Sequence, residues 1–81
     1  MDSNQILSEL NTIFKDVLDN NKIQLTTATT AKDIEEWDSL SNIHLVIEIE
    51  RHFKLKFTTS EIQSWKNIGE LVNSIEKKTS K

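Results

Sequence analysis

The sequence predicts an all-α fold, a four-helix bundle with a long loop between helices 1 and 2 and a short helix 3. Three observations carry the prediction. The 81 residues contain 0 Pro and 1 Gly, which starves turns and bulges and favours helices. Apolar residues recur at helical spacing in three stretches. A short polar residue able to cap a helix stands ahead of each of the four segments. The length allows one small domain, read as residues 1–76, with the polar tail 77–81 expected to fray. A chain of this size buries roughly 60–70% of the surface its unfolded form exposes, so its core is thin.

In the first segment Ile6, Leu7, Leu10, Ile13, Phe14, Val17 and Leu18 make one wide apolar stripe, the mark of an amphipathic helix. Asp2 or Ser3 caps its start, and Asp19-Asn20-Asn21 ends it, because Asn tolerates the left-handed backbone that closes a helix. Residues 20–38 show no sustained period and read as a long loop anchored by Ile23, Leu25 and Ile34. Unstructured loops this long are unusual in a small domain and are often functional. Asp38 caps a second helix from about Ser39 to Phe53, and Lys54-Leu55-Lys56-Phe57 leads away from it. Thr58 and Glu61 are spaced as a capping box for a short third helix ending near Trp65. Asn67 and Glu70 repeat the spacing for a fourth, with Ile68, Leu71, Val72 and Ile75 as its stripe.

The second helix carries two apolar faces. At about 100° per residue, with Leu40 at zero, Leu45, Ile49, Phe53 and Val46 fall between about 140° and 240°. Leu40, Ile43 and Ile47 lie nearly opposite, at about 0°, 300° and 340°. A helix sandwiched in a small bundle buries both faces. An exposed second stripe would instead offer an i, i+3, i+7 set of anchors to a partner. Glu50 and Arg51 border that stripe with charge, and His44 lies on the same border, which favours the docking face.

Several chemistries are excluded or disfavoured. With 0 Cys there is no disulfide framework, thiolate metal site or thiol nucleophile. His44 and His52 are eight residues apart with no third ligand at metal spacing, so no metal is expected. Asp33, Glu35 and Glu36 lack a partner base or nucleophile and read as a solvated acidic loop that steers basic partners. No nucleophile–base pair is visible, so an enzyme is not expected. The net charge of −3 argues against nucleic acid. Its distribution is uneven: residues 33–53 hold six acids against Arg51 alone, and residues 54–81 hold six Lys against three Glu. No apolar run approaches the ~20 residues of a membrane span and no signal-peptide pattern opens the chain, so a cytoplasmic, soluble monomer is expected.

Ser39 opens the second helix, where unpaired N–H groups and the positive end of the helix dipole would favour an attached anion such as a phosphodiester. An Asp-Ser helix start is common, and taken alone it is compatible with an ordinary first-turn serine. The wider run is more specific. Glu35-Glu36-Trp37-Asp38-Ser39-Leu40, followed by the helix from Ser41 to Phe53, closely resembles the acyl carrier protein family. The resemblance covers nearly the whole chain. Its specific part is Asp38-Ser39-Leu40 with Leu45, Ile49, Glu50 and Phe53 behind it.

The resemblance implies a four-helix bundle of the acyl-carrier type. It implies that Ser39 carries 4′-phosphopantetheine, added from coenzyme A by a phosphopantetheinyl transferase, and that Asp38 helps position that enzyme and its metal. It further implies partner contacts at Leu40, Ile43 and Ile47, and an acyl-sheltering cleft near Val46, Ile49, Phe57, Ile62 and Trp65. Glu50 joins the partner surface as an acidic rim, and Trp37 is either a lid on the core or a partner contact. Acyl-loading and acyl-transferring enzymes are the implied partners. Two features depart from the family pattern. Glu36 and Trp37 stand where fatty-acid-synthesis carriers usually have Gly and a small residue, and His44, Arg51 and His52 interrupt a helix that is strongly acidic in housekeeping carriers. These departures look like stand-alone carriers of specialised lipid, surface-polysaccharide or secondary-metabolite pathways. An aminoacyl or peptidyl carrier and an unmodified helical interaction domain are the alternative readings.

Overall fold

Asp2 starts the first helix, α1 (Ser3–Val17), by accepting a 2.8 Å hydrogen bond from the Gln5 amide. The computed structural model describes residues 2–79. A short 3₁₀ turn at Ala31–Asp33 follows, then α2 (Ser39–Phe53), α3 (Thr59–Ser64) and α4 (Ile68–Thr79). There is no strand among the described residues. The fold class and all four helices agree with the sequence expectation. Asp38 caps α2, and the Thr58–Glu61 box opens α3, with bonds of 2.8 and 3.2 Å in its two directions. The end of α1 differs in detail. Asp19 takes the left-handed backbone, with φ of 51°, and neither Asn20 nor Asn21 does. Asp shares with Asn a short polar side chain that tolerates this region. Lys54 does the same work at the end of α2, with φ of 57°, although glycine is the usual residue there.

The core is one cluster. Ile6, Leu10 and Phe14 of α1, Leu45 and Ile49 of α2, and Ile68, Leu71, Val72 and Ile75 of α4 are buried together. α1 packs against both α2 and α4. Each such side chain contributes about 1.5–3 kcal/mol by leaving water. Ile23, Leu25 and Ile34 are buried as expected and fasten the long loop to this cluster.

Polar bonds hold the rest of the loop. The Leu25 amide donates to Asn11 Oδ1 at 2.7 Å, while Asn11 Nδ2 donates to the Leu7 carbonyl, so one α1 side chain is fixed at both ends. The Thr26 amide donates to the buried Thr29 hydroxyl at 2.9 Å. The carbonyls of Thr29 and Thr27 then accept the Ile68 and Gly69 amides, at 2.8 and 2.9 Å. The loop thereby satisfies N–H groups that the start of α4 cannot pair within the helix.

That contact explains the single glycine. A Cβ on Gly69 would stand 2.9 Å from the Thr27 carbonyl oxygen and 3.2 Å from Asn67 Oδ1. Alanine is worth about 1 kcal/mol over glycine inside a helix, whereas overpacking costs about 1–3 kcal/mol. Because the obstacle is backbone, Gly69→Ala is expected to lower stability by about 1 kcal/mol net, and Gly69→Val by more. Urea melts followed by circular dichroism measure this. A more stable Gly69→Ala protein would show that the loop yields easily.

The last helix continues past Glu76, where the tail was expected to fray, and includes Lys77, Lys78 and Thr79. Lys78 reaches Glu61 of α3 at 3.0 Å and lies 5.7 Å from the Phe57 ring centroid. The Thr79 hydroxyl donates to the Ile75 carbonyl, and Ser3 at the start of α1 donates to Glu76. Basic residues in a last turn also suit the helix dipole. Ser80 and Lys81 of the expected tail lie outside the described residues.

Candidate functional site

The start of α2 is built by residues that bond to one another around Ser39. Asp38 Oδ1 accepts from the amides of Leu40 and Ser41, at 3.0 and 2.9 Å. In return, Ser41 Oγ accepts from the Asp38 amide and donates to the Glu36 carbonyl, both at 2.8 Å. Two serines thus share the first turn and differ in state. The Ser41 hydroxyl is consumed by the cap. The Ser39 side chain is exposed, and its hydroxyl has no hydrogen-bond partner among the described residues.

One expectation is corrected here. The N–H groups expected to be open to an anion at this helix end are largely taken, since the Asp38 carboxylate holds two of them and Ser41 Oγ accepts the Asp38 amide. An anion attached at Ser39 would therefore find few free backbone donors. The residues fit such a group through access: an exposed, uncommitted hydroxyl on a rigid turn.

The Asp38 carboxyl is held below its ordinary range, chiefly by the Ser41 amide that it accepts from. Glu61 is lowered in the same way by the Thr58 amide, with help from Lys78. Both groups therefore stabilise the folded state above the ordinary carboxylate pKa and lose that contribution as pH falls through the lowered folded values. Stability is expected to hold from neutral pH to about 5 and to fall below about 4. Asp38→Asn keeps an acceptor at the cap but removes its titration. Its urea midpoint should change less between pH 5 and pH 3 than that of the parent, and an equal change would remove Asp38 from this account.

Beside Ser39 lies a cleft of about 320 Å³, with walls that include Trp37, Asn42, Ile62 and Trp65, and with Lys66 among its lining residues. Both indoles are pinned. Trp37 Nε1 donates to Asn42 Oδ1 at 2.9 Å, and Trp65 Nε1 donates to the Ser74 hydroxyl at 2.8 Å. Trp37 also sets its ring edge-on to Phe14, with centroids 5.0 Å apart, and packs against the core as a lid. Trp65 meets Phe57 edge-on at 4.7 Å. Of the expected cleft positions, Ile62 and Trp65 line this space, while Val46 and Ile49 are buried in the bundle.

The second stripe of α2 is exposed. Leu40, Ile43 and Ile47 are 80%, 60% and 46% accessible, the large apolar side chains left in water by this fold. His44 is exposed beside them. Glu50 does not simply rim the stripe. Its Oε2 accepts from the Phe57 amide at 2.8 Å and ties the segment after α2 back to the helix. Charge reversal at Glu50 would therefore disturb this tie as well as any partner. Asn42, Ala31 and Lys66 join the cleft without having been singled out in the sequence. Ser41 could have been found, since it stands three residues after Asp38, at the capping-box position. Among the described residues no group of His, Asp and Glu is placed to hold a metal ion. Among the described residues no helix is long and apolar enough to cross a membrane.

Comparison with known proteins agrees with this geometry. The family model described as "Phosphopantetheine attachment site" matches residues 8–75. The acyl carrier proteins of two strains of Borreliella burgdorferi are each 28% identical to this chain over 78 residues, covering 96% of it and 98% of their own length. The solution structure of holo acyl carrier protein from Geobacter metallireducens superposes with a TM-score of 0.85 at 44% identity, covering 89% of this chain and 83% of that one. A uniquely exposed hydroxyl on the capped turn, the bundle around it and these likenesses lead to one conclusion: the chain belongs to the acyl carrier protein family, as a non-enzymatic carrier of a 4′-phosphopantetheine group.

Proposed function

We propose that Ser39 is the attachment residue and that the protein serves a specialised biosynthetic pathway. The observation that carries the first part is the contrast between two neighbouring hydroxyls, Ser39 exposed and unpartnered, Ser41 locked between Asp38 and Glu36. When bound, 4′-phosphopantetheine supplies a terminal thiol that holds acyl groups as thioesters, a group that a chain with 0 Cys lacks. Asp38 fixes the turn through Oδ1, and its Oδ2, with no hydrogen-bond partner among the described residues, faces the modifying phosphopantetheinyl transferase and its metal. Leu40, Ile43 and Ile47 receive that enzyme and the acyl-loading and acyl-transferring enzymes in turn. Tethering raises the effective concentration of the cargo at each partner's active site.

The specialised placement rests on Trp37, which covers Phe14 where a small residue would leave the core open, and on the interruption of the acidic helix by His44, Arg51 and His52. An aminoacyl cargo is the second reading, favoured by the modest cleft with two pinned tryptophans. Incubation of the full chain with coenzyme A and a broad-specificity transferase, followed by intact mass measurement, tests the assignment. A gain of one phosphopantetheine is expected, and no gain with several transferases would count against it.

A further inference from the structure

The far end of the α2 face has a different character from its start. Going round the helix at about 100° per residue, Arg51 continues the line of Leu40, Ile43 and Ile47, at about 20°, and Lys54 follows in the left-handed position that ends the helix. Below Ile47 lies an open groove of about 680 Å³ lined by Ile47, Glu50, Arg51, Lys54, Leu55 and Lys56. Its charge is mainly positive. One oxygen of Glu50 is committed to the Phe57 amide. Arg51 meets Glu48 at only 3.6 Å, with a side chain 77% exposed, and exposed pairs of this kind are weak. Lys54 and Lys56 have no ion-pair partner among the described residues. Lys54 also occupies a left-handed position where glycine or asparagine would be less strained, so its cation stands there at some conformational cost.

Asp38 caps the start of α2, and Asp33, Glu35 and Glu36 precede it in the loop. The twelve residue steps from Ser39 to Arg51 span about 18 Å. A uniform polyanion laid along α2 would meet repulsion at one end. A protein surface can instead carry its charges in separate places.

We propose that this groove receives a carboxylate-bearing surface of an acyl-handling partner protein, with one apolar side chain seated on Ile47 and Leu55 and its acids facing Arg51, Lys54 and Lys56. This deepens the docking role of α2 and rests on the reading of Ser39 as the attachment residue. Such a partner differs from the basic surfaces that a uniformly acidic helix would select.

The test titrates the isotopically labelled full chain, by NMR, with two synthetic helical peptides that share a leucine stripe, one flanked by Glu and the other by Lys. The Glu peptide is expected to shift the amides of Ile47, Arg51, Lys54 and Lys56, and the Lys peptide to leave them in place. The triple reversal R51E/K54E/K56E should weaken the Glu peptide about tenfold. The neutral triple R51Q/K54N/K56Q, which relieves the left-handed lysine, should weaken it less, and circular dichroism confirms that both variants are folded. Equal binding of the two peptides, or shifts elsewhere on the chain, would overturn the proposal. So would phosphatidylglycerol vesicles that bind the parent and not the reversal, which would give the groove to a membrane. Uptake of phosphopantetheine by the same samples separates the failures. Absent uptake defeats the Ser39 reading, whereas uptake with charge-blind binding defeats this one.

Discussion

The Ser39→Ala protein is expected to gain no phosphopantetheine mass under conditions that load the parent completely, while Ser41→Ala still loads. The two serines sit two residues apart on one turn, so sequence distance cannot separate them. Their hydrogen bonds do. Ser41 Oγ holds the Asp38 amide and the Glu36 carbonyl, and removing it costs about 1–2 kcal/mol of cap stability without touching the exposed hydroxyl. Ser39 makes no bond that its removal would break, so Ser39→Ala should melt like the parent. The decisive pattern is therefore a complete loss of loading without a loss of stability in one variant, and the reverse tendency in the other. Loading of the Ser39→Ala protein would move the attachment site elsewhere.

The largest loss of stability is expected from Phe14→Ala. Phe14 is 1% exposed, lies in the α1 stripe and takes the edge of Trp37. Large-to-small changes of this kind cost about 3–5 kcal/mol, since the cavity collapses only partly. A domain of 81 residues has roughly 4–12 kcal/mol in total, at about 0.05–0.15 kcal/mol per residue. The variant should therefore be close to unfolded at 37 °C and have a greatly lowered urea midpoint. The consequence reaches the site, because Trp37 immediately precedes the Asp38 cap and bonds Asn42 one turn into α2. Loading at Ser39 should slow in Phe14→Ala even under conditions where the protein remains folded. A loss below about 1 kcal/mol would mean that Trp37 and its neighbours refill the space.

Much of the framework was legible because it is encoded over a few residues. Asp2, Asp38 and the Thr58–Glu61 pair each announce a helix start through bonds that close within one turn, and the structure places α2 and α3 where those signals stand. The stripes of α1 and α4 have a single apolar face each, so they leave no choice of what to bury. The contacts that were not legible join residues far apart. The Thr27 and Thr29 carbonyls meet α4 across some forty residues, and Asn11 holds Leu25 across a helix end. Nothing at either position signals the other, because a polar side chain or a backbone carbonyl looks the same in sequence whatever it bonds.

The single glycine shows the same division. From the sequence it is only an unfavourable residue in the last helix, and the Thr27 carbonyl 2.9 Å from its missing Cβ supplies the reason. Glu50 likewise reads as a free acid on a helix border until the Phe57 amide is found against it.

By itself, then, the sequence determined the four helices, their caps and the Asp38-Ser39-Leu40 start of α2, since periodicity and capping are local properties of the chain. Only the tertiary structure decided that α2 is not sandwiched and that its second apolar face stays in water. Both faces carry residues of similar hydrophobicity, and a bundle with α1 and α4 on one side covers Leu45 and Ile49 and leaves Leu40, Ile43 and Ile47 to water.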